Sequence, residues 1–263
     1  VYKRQVQRQP IFVKMHTLLL ILISITTANL SAEVSFVTDD GVEIFGDVYK
    51  TDEWKSDPLV LLFHQGGSNA RAEYATIIPI LRQQGYSVIA IDQRRGGSRL
   101  GGTNRTTEKI GEVQYSYCDA YLDLDATLKF AIDSSFEGKI IAWGSSYSAS
   151  LAIQLASRNS RKIAAALAFS PAAGEPLQGC NPEMYLDSLR VPLLALRPAS
   201  EMEIESVSRQ LKLIGEVGHA TYISETGVHG SSMLNPRRTK NPTDDTWNVV
   251  LNFIGDVLTD GAP

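Results

Sequence analysis

Five short apolar runs constrain the architecture of this chain more than any motif it contains. They are "PLVLLFH" (58–64), "YSVIAID" (86–92), "KIIAW" (139–143), "KIAAALAFS" (162–170) and "VPLLALR" (191–197). A strand with one wet face alternates apolar and polar side chains. A run that is apolar at successive positions needs cover on both faces. That cover is available between the runs. "RAEYATIIPILRQQG" (71–85) has helical spacing, an internal irregularity at Pro79 and a stop at Gly85. Residues 117–132, 146–158, "EIESVSRQLKLIG" and "TDDTWNVVLNFIGDVL", the last with Thr243 as its cap, also read as helices. "EVSFV" and "VEIFGDVYK" flank "TDDG" as an antiparallel hairpin, and "ATYIS" is a late strand. The predicted fold is α/β: a doubly wound, mostly parallel sheet with an antiparallel start. With 263 residues, 43% of them hydrophobic, and no linker, one such domain accounts for the chain.

The amino-terminal segment is set apart from that domain. "MHTLLLILISITTANLSAE" begins at Met15, and its apolar core, Leu18–Ile25, is shorter than the ~20 residues of a membrane span. Residues 15–32 are expected to be a signal peptide, with a retained anchor as the alternative. Residues 1–14 are read as an artefact or an upstream extension, and 33–263 as the folded domain. Export to the periplasm or outside the cell follows, with no stable membrane span after cleavage. A net charge of −4 argues against a nucleic-acid partner. Cys118 and Cys180 are too few for a zinc site, but an oxidising compartment would let them pair if their Cα atoms lie within ~7 Å.

The joint between "KIIAW" and the following helix reads "GSSYSAS". A nucleophile on a sharp strand-to-helix turn needs small residues two positions before and after it. Gly144 and Ser148 bracket Ser146 in that way. Ser145 would place Trp143 and Tyr147 in the tight positions, and Ser148 lies a helical turn too far on. A helix start capped by serines is the bland alternative. On this reading the neighbouring serines supply smallness and local hydrogen bonds. "WGSSYSA" resembles the nucleophile elbow of the α/β-hydrolase family, with Ser148 where glycine is most frequent. The resemblance extends over nearly all of residues 34–258 and touches the esterase, serine aminopeptidase and dienelactone hydrolase branches. The dienelactone hydrolases carry cysteine at the elbow, where this chain has none.

The resemblance implies a triad in the order nucleophile, acid, histidine. "YISETGVHGSSML" places His229 in the loop after the last strand, whereas His219 precedes that strand and His64 belongs to another motif. The acid is expected after "VPLLALR", where Glu201 comes first and Glu203 and Glu205 follow. The oxyanion hole is expected from the backbone N–H of Tyr147 and that of Gln65 or Gly66 in "FHQGGS". "DQRRGGS" resembles a family turn in which Arg94 is architectural. No metal or organic cofactor is implied. The implied activity is hydrolysis of a small carboxylic ester, with a short peptide or amide as the alternative substrate; a non-catalytic acyl binder is a third reading. Only 19 residues, Ala172–Arg190, separate two strands where relatives insert a lid, so no large cap domain is expected. Arg95, Arg99 and Arg105 are either anion contacts on the rim or a solvated basic loop.

Overall fold

The computed structural model describes residues 31–259. The expected signal segment lies outside the described residues except for Ser31 and Ala32, which open the first strand; residues 1–14 lie outside them entirely. Eight strands form one sheet: β1 (Ser31–Val37), β2 (Glu43–Tyr49), β3 (Leu59–Phe63), β4 (Ser87–Asp92), β5 (Ile140–Ser145), β6 (Ile163–Phe169), β7 (Leu193–Pro198) and β8 (Ala220–Ser224). Their order is β1-β2-β4-β3-β5-β6-β7-β8. The β1–β2 and β2–β4 pairs are antiparallel, and every other pair is parallel.

Successive residues of each apolar run serve two different cores, which is why the runs lack polar positions. In β3, Leu59, Leu61 and Phe63 join one core, and Val60 and Leu62 join the other. In β5, Ile140 and Ala142 face the first, Ile141 and Trp143 the second. The helices α1 (Ala70–Tyr74), α2 (Ile77–Gln83) and α9 (Asp244–Thr259) cover the face that holds Trp143. The helices α4 (Tyr121–Asp133), α5 (Tyr147–Arg158) and α7 (Glu205–Glu216) cover the other. Three short helices complete the set: α3 (Arg105–Ile110), α6 (Glu183–Leu186) and α8 (Pro236–Thr239). Between β6 and β7 there is only a 3-10 turn and α6, so the sheet's edge stays open there.

Three details differ from the sequence reading. The helix expected over 71–85 is two helices, broken at Ala75–Thr76. Pro79 explains the position of the break, because its ring displaces the carbonyl four residues earlier, that of Ala75, and it has no N–H to give it. The helix expected from Tyr117 starts at Tyr121, and the loop 93–112 contains α3, capped by Asn104, whose Oδ1 accepts from Thr107 N at 2.8 Å. Thr243 holds the cap position, its carbonyl accepting from Trp247 N at 2.9 Å, but its hydroxyl donates to Leu234 O at 3.4 Å and ties the start of α9 to the preceding loop.

The parallel strands all run the same way, so their carboxyl ends share one edge, where such sheets gather their ligands. His64, Gln93, Ser146, Ser170, Glu201 and His229 each lie within five residues of such an end.

Candidate functional site

Ser146 sits between the end of β5 and the start of α5 with φ 61° and ψ −122°, backbone that an L-residue adopts only under strain. The turn leaves no room upstream. A Cβ on Gly144 would lie 2.2 Å from Ser148 O and 2.5 Å from Ala149 Cα, both backbone atoms that cannot move aside. The backbone around Ser146 is held by the next strand: its N–H donates to Phe169 O at 2.8 Å, and its carbonyl accepts from Ala172 N at 3.2 Å.

The neighbouring serines bond across the sheet, not locally as the sequence reading had it. Ser145 Oγ accepts from Ser231 N at 2.9 Å and so grips the loop that carries His229. Ser148 Oγ donates to His64 O at 2.6 Å and lies 3.0 Å from Gln93 Oε1, linking α5 to the ends of β3 and β4. Ser150 Oγ donates to Ala172 O at 2.9 Å. Three serines thus fasten three separate loops to the segment that bears the fourth. The residue after His229 shows how closely they pack: Gly230 has φ 67°, and a Cβ there would lie 2.3 Å from Ser145 Oγ.

His229 Nδ1 faces Glu201 Oε1 at 2.5 Å, which leaves Nε2 on the opposite side of the ring. Glu203 and Glu205 are exposed, and Glu205 faces Arg209 at 3.8 Å. Two residues that sequence reasoning missed hold Glu201. Ser170 Oγ donates to Oε1 at 3.1 Å and accepts from Gly230 N at 3.0 Å, joining the acid to the histidine loop. Arg197, 3% exposed in its side chain, donates to Oε2 at 2.7 Å and to Gln210 Oε1 at 2.6 Å. Burial pushes the Glu201 carboxyl up, but the hydrogen bonds and charges of His229 and Arg197 outweigh it and hold the group below its usual value. An arginine ending an apolar strand was the available signal, since a buried guanidinium requires an anion.

The loop after β3 brings one correction. The Gln65 N–H is already committed to the buried carboxylate of Glu73, at 2.9 Å, and so cannot serve an oxyanion. Gly66 lines the same cavity as Ser146, and its N–H donates to no group among the described residues. The Tyr147 N–H stands at the first turn of α5, where backbone donors lack intrahelical partners. His64 is a structural residue. Its Nε2 accepts from Gln93 N at 2.8 Å, so the proton sits on Nδ1, which donates to Gln65 O at 2.8 Å. His219 lies before β8, at the other edge of the sheet.

A cavity of about 420 Å³ opens beside Ser146 and Gly66 and is walled by Arg95, Arg99, Gln114 and Tyr117. Arg94 also lines it, but its charge is spent on Asp123 at 2.7 Å and Asp40 at 2.6 Å, the architectural role expected. Arg105 is not on this wall. It pairs with Asp92 at 2.6 Å and Asp47 at 3.0 Å, which corrects its reading as a rim contact. A disulfide joins Cys118 to Cys180, with Cα atoms 5.7 Å apart, and ties the segment after Tyr117 to the loop after β6. Among the described residues no cluster of His, Cys, Asp and Glu could hold a metal ion, and no helix is long and apolar enough to cross a membrane.

Comparison with known proteins adds a family to this geometry. The family model described as serine aminopeptidase, S33, matches residues 55–229, well over half of the chain. No curated protein sequence matches significantly. Among solved structures, a Pyrococcus furiosus esterase superposes with a TM-score of 0.65 at 20% identity, covering 89% of this chain and 91% of its own. A thermostable carboxyl esterase from Bacillus coagulans gives 0.66 at 12% identity, over 87% of this chain and 99% of its own. An acylaminoacyl peptidase from Pyrococcus horikoshii gives 0.62 at 13% identity, over 86% of this chain but only 41% of its own. At these identities the structures speak for the fold alone.

Proposed function

The chain belongs to the serine aminopeptidase S33 family of α/β-hydrolases and is a serine hydrolase, and from that premise we propose that it cleaves carboxylic esters with Ser146 as nucleophile, His229 as base and Glu201 as acid. The observation that carries the reading is the Glu201–His229 contact at 2.5 Å, made by a loop that is itself bonded to Ser145, the residue beside the strained turn. Ser146 Oγ attacks the substrate carbonyl carbon and passes its proton to His229 Nε2. The carbonyl oxygen becomes an oxyanion facing the N–H of Gly66, in the loop after β3, and that of Tyr147 at the start of α5, where the helix dipole also favours negative charge. The tetrahedral centre collapses, the bond to the leaving oxygen breaks, and His229 returns the proton to the departing alcohol. Water then repeats the sequence on the acyl-enzyme: it gives a proton to His229, the acid product leaves, and Ser146 regains its hydrogen. Glu201 holds the imidazole with its proton on Nδ1 and balances the charge it gains.

An ester asks less of this machinery than an amide, because an alkoxide can leave with little help whereas an amide nitrogen must first be protonated. A fluorophosphonate probe with p-nitrophenyl butyrate tests the reading. The wild-type protein should take the label on the peptide that contains Ser146 and release p-nitrophenol, and S146A should do neither while keeping its circular dichroism spectrum. Labelling that survives in S146A and disappears in S148A would place the nucleophile elsewhere and overturn the assignment.

A further inference from the structure

We propose that the cavity beside Ser146 is a carboxylate receptor built on Arg95 and Arg99, so that the preferred substrates are esters with an anionic group a few carbons from the scissile carbonyl. The inference rests on Ser146 as the nucleophile and adds the substrate's charge.

The argument begins with unspent charge. Among the described residues neither Arg95 nor Arg99 has a carboxylate within ion-pair distance, and neither guanidinium donates a hydrogen bond. Three other arginines near this edge of the sheet, Arg94, Arg105 and Arg197, each have a carboxylate within 3 Å. Arg95 Nε is buried and has no hydrogen-bond acceptor among the described residues. Guanidinium groups without a carboxylate of their own attract an anion, and a ligand carboxylate in the cavity would accept from the N–H groups that Arg95 and Arg99 present to its wall. No aspartate or glutamate lines the cavity to compete for it. The local excess is positive although the whole chain carries −4, so the site's sign is not a by-product of composition.

Arg95 is also held in advance. Its guanidinium lies 4.6 Å over the Tyr117 ring, and that ring lies 4.7 Å from Tyr147, next to the proposed oxyanion donor. Tyr117 precedes Cys118, which the disulfide anchors. A charge fixed by stacking loses little freedom when a ligand arrives. Gln114 adds an amide to the same wall. The same arrangement opposes a substrate with a free α-ammonium group, because two guanidinium groups would meet it within the cavity.

The test compares p-nitrophenyl hemiglutarate with p-nitrophenyl valerate, esters of similar reach that differ in charge. In the wild-type protein at low ionic strength, kcat/KM should favour the hemiglutarate by about tenfold, the scale of one charge-assisted contact. In about 1 M NaCl, where the screening length falls to about 3 Å, most of that preference should vanish. R95Q and R99Q should each bring the ratio of the two esters toward one. Equal rates or a preference for valerate in the wild-type protein would overturn the proposal while leaving the hydrolase reading intact. So would a higher kcat/KM for an alanine p-nitrophenyl ester than for the hemiglutarate. Absence of turnover on every ester, together with absence of fluorophosphonate labelling, would remove the nucleophile assignment and this proposal with it.

Discussion

Glu201 is approached from three sides, by His229, Ser170 and Arg197, and only one of those partners was foreseeable from its place in the chain order. The carboxylate that meets the histidine cannot be separated from Glu203 by sequence, since both follow the same strand at similar distance. The 3-10 turn Ala199–Glu201 decides between them, turning Glu201 inward and leaving Glu203 in solvent. E201Q is therefore expected to lower kcat/KM on the order of 10⁴-fold, the usual loss when a triad acid is neutralised. E203Q should stay near wild type. Arg197 acts through Glu201 and touches no reacting atom, so R197M should cost less activity than E201Q. It should also cost about 3 kcal/mol of stability, the low end for a broken buried ion pair, because Glu201 keeps two other donors. Steady-state kinetics and thermal melts of the three variants check the order. A larger kinetic loss in E203Q than in E201Q would move the acid.

The joint between β5 and α5 carries strain that the rest of the element does not need. A non-glycine residue at φ 61° and ψ −122° costs about 1–3 kcal/mol, held in place by the bonds of Ser145, Ser148 and Ser150. Glycine at 146 would relieve the strain at an entropic cost of about 0.5–1 kcal/mol, whereas alanine would keep it. S146G should thus be more stable than S146A by about 1 kcal/mol, and neither should hydrolyse ester. Equal melting temperatures would mean that the turn is not strained. The elements themselves were legible because their causes are local. The five apolar runs, the hairpin turn and the spacing around Ser146 each carry a pattern within a few residues. What was not legible came from distant partners. The Gln65 N–H looked like an oxyanion donor until Glu73, folded back from α1, took it. Arg105 looked like a rim cation until β2 and β4 brought Asp47 and Asp92 to it. The break between α1 and α2 was marked by Pro79, but its effect falls four residues upstream of the proline.

At the scale of the whole molecule, arginine–aspartate ties stitch the antiparallel edge of the sheet to the rest. Asp40, in the β1–β2 turn, binds Arg94 beyond β4 at 2.6 Å, and Arg94 binds Asp123 on α4. Asp47 on β2 binds Arg71 at 2.7 Å and Arg105 at 3.0 Å. The hydrogen bond from Arg94 holds Asp40 down to about 2. Burial pushes Asp47 up, but Arg71 and Arg105 outweigh it and keep the group below its usual value. A carboxyl that is lowered on folding contributes stability above its unfolded value, near 3.8, and loses it as pH falls through the folded one. Asp123 works in the opposite sense: burial, only partly countered by Arg94, pushes it up to about 7, so mild acidification relieves the cost of its charge. The melting temperature should therefore hold or rise slightly from pH 7 to pH 5, then fall steeply between pH 4 and pH 2. Asp40 is partly exposed, so its share after solvent screening is about 1 kcal/mol, or roughly 2–4 °C. D40N, which leaves the Arg94–Asp123 hydrogen bonds in place, should melt lower than wild type at pH 5 and show a smaller drop below pH 4. A wild-type melting temperature that does not change between pH 4 and pH 2 would mean that these ties do not hold the hairpin edge to the sheet.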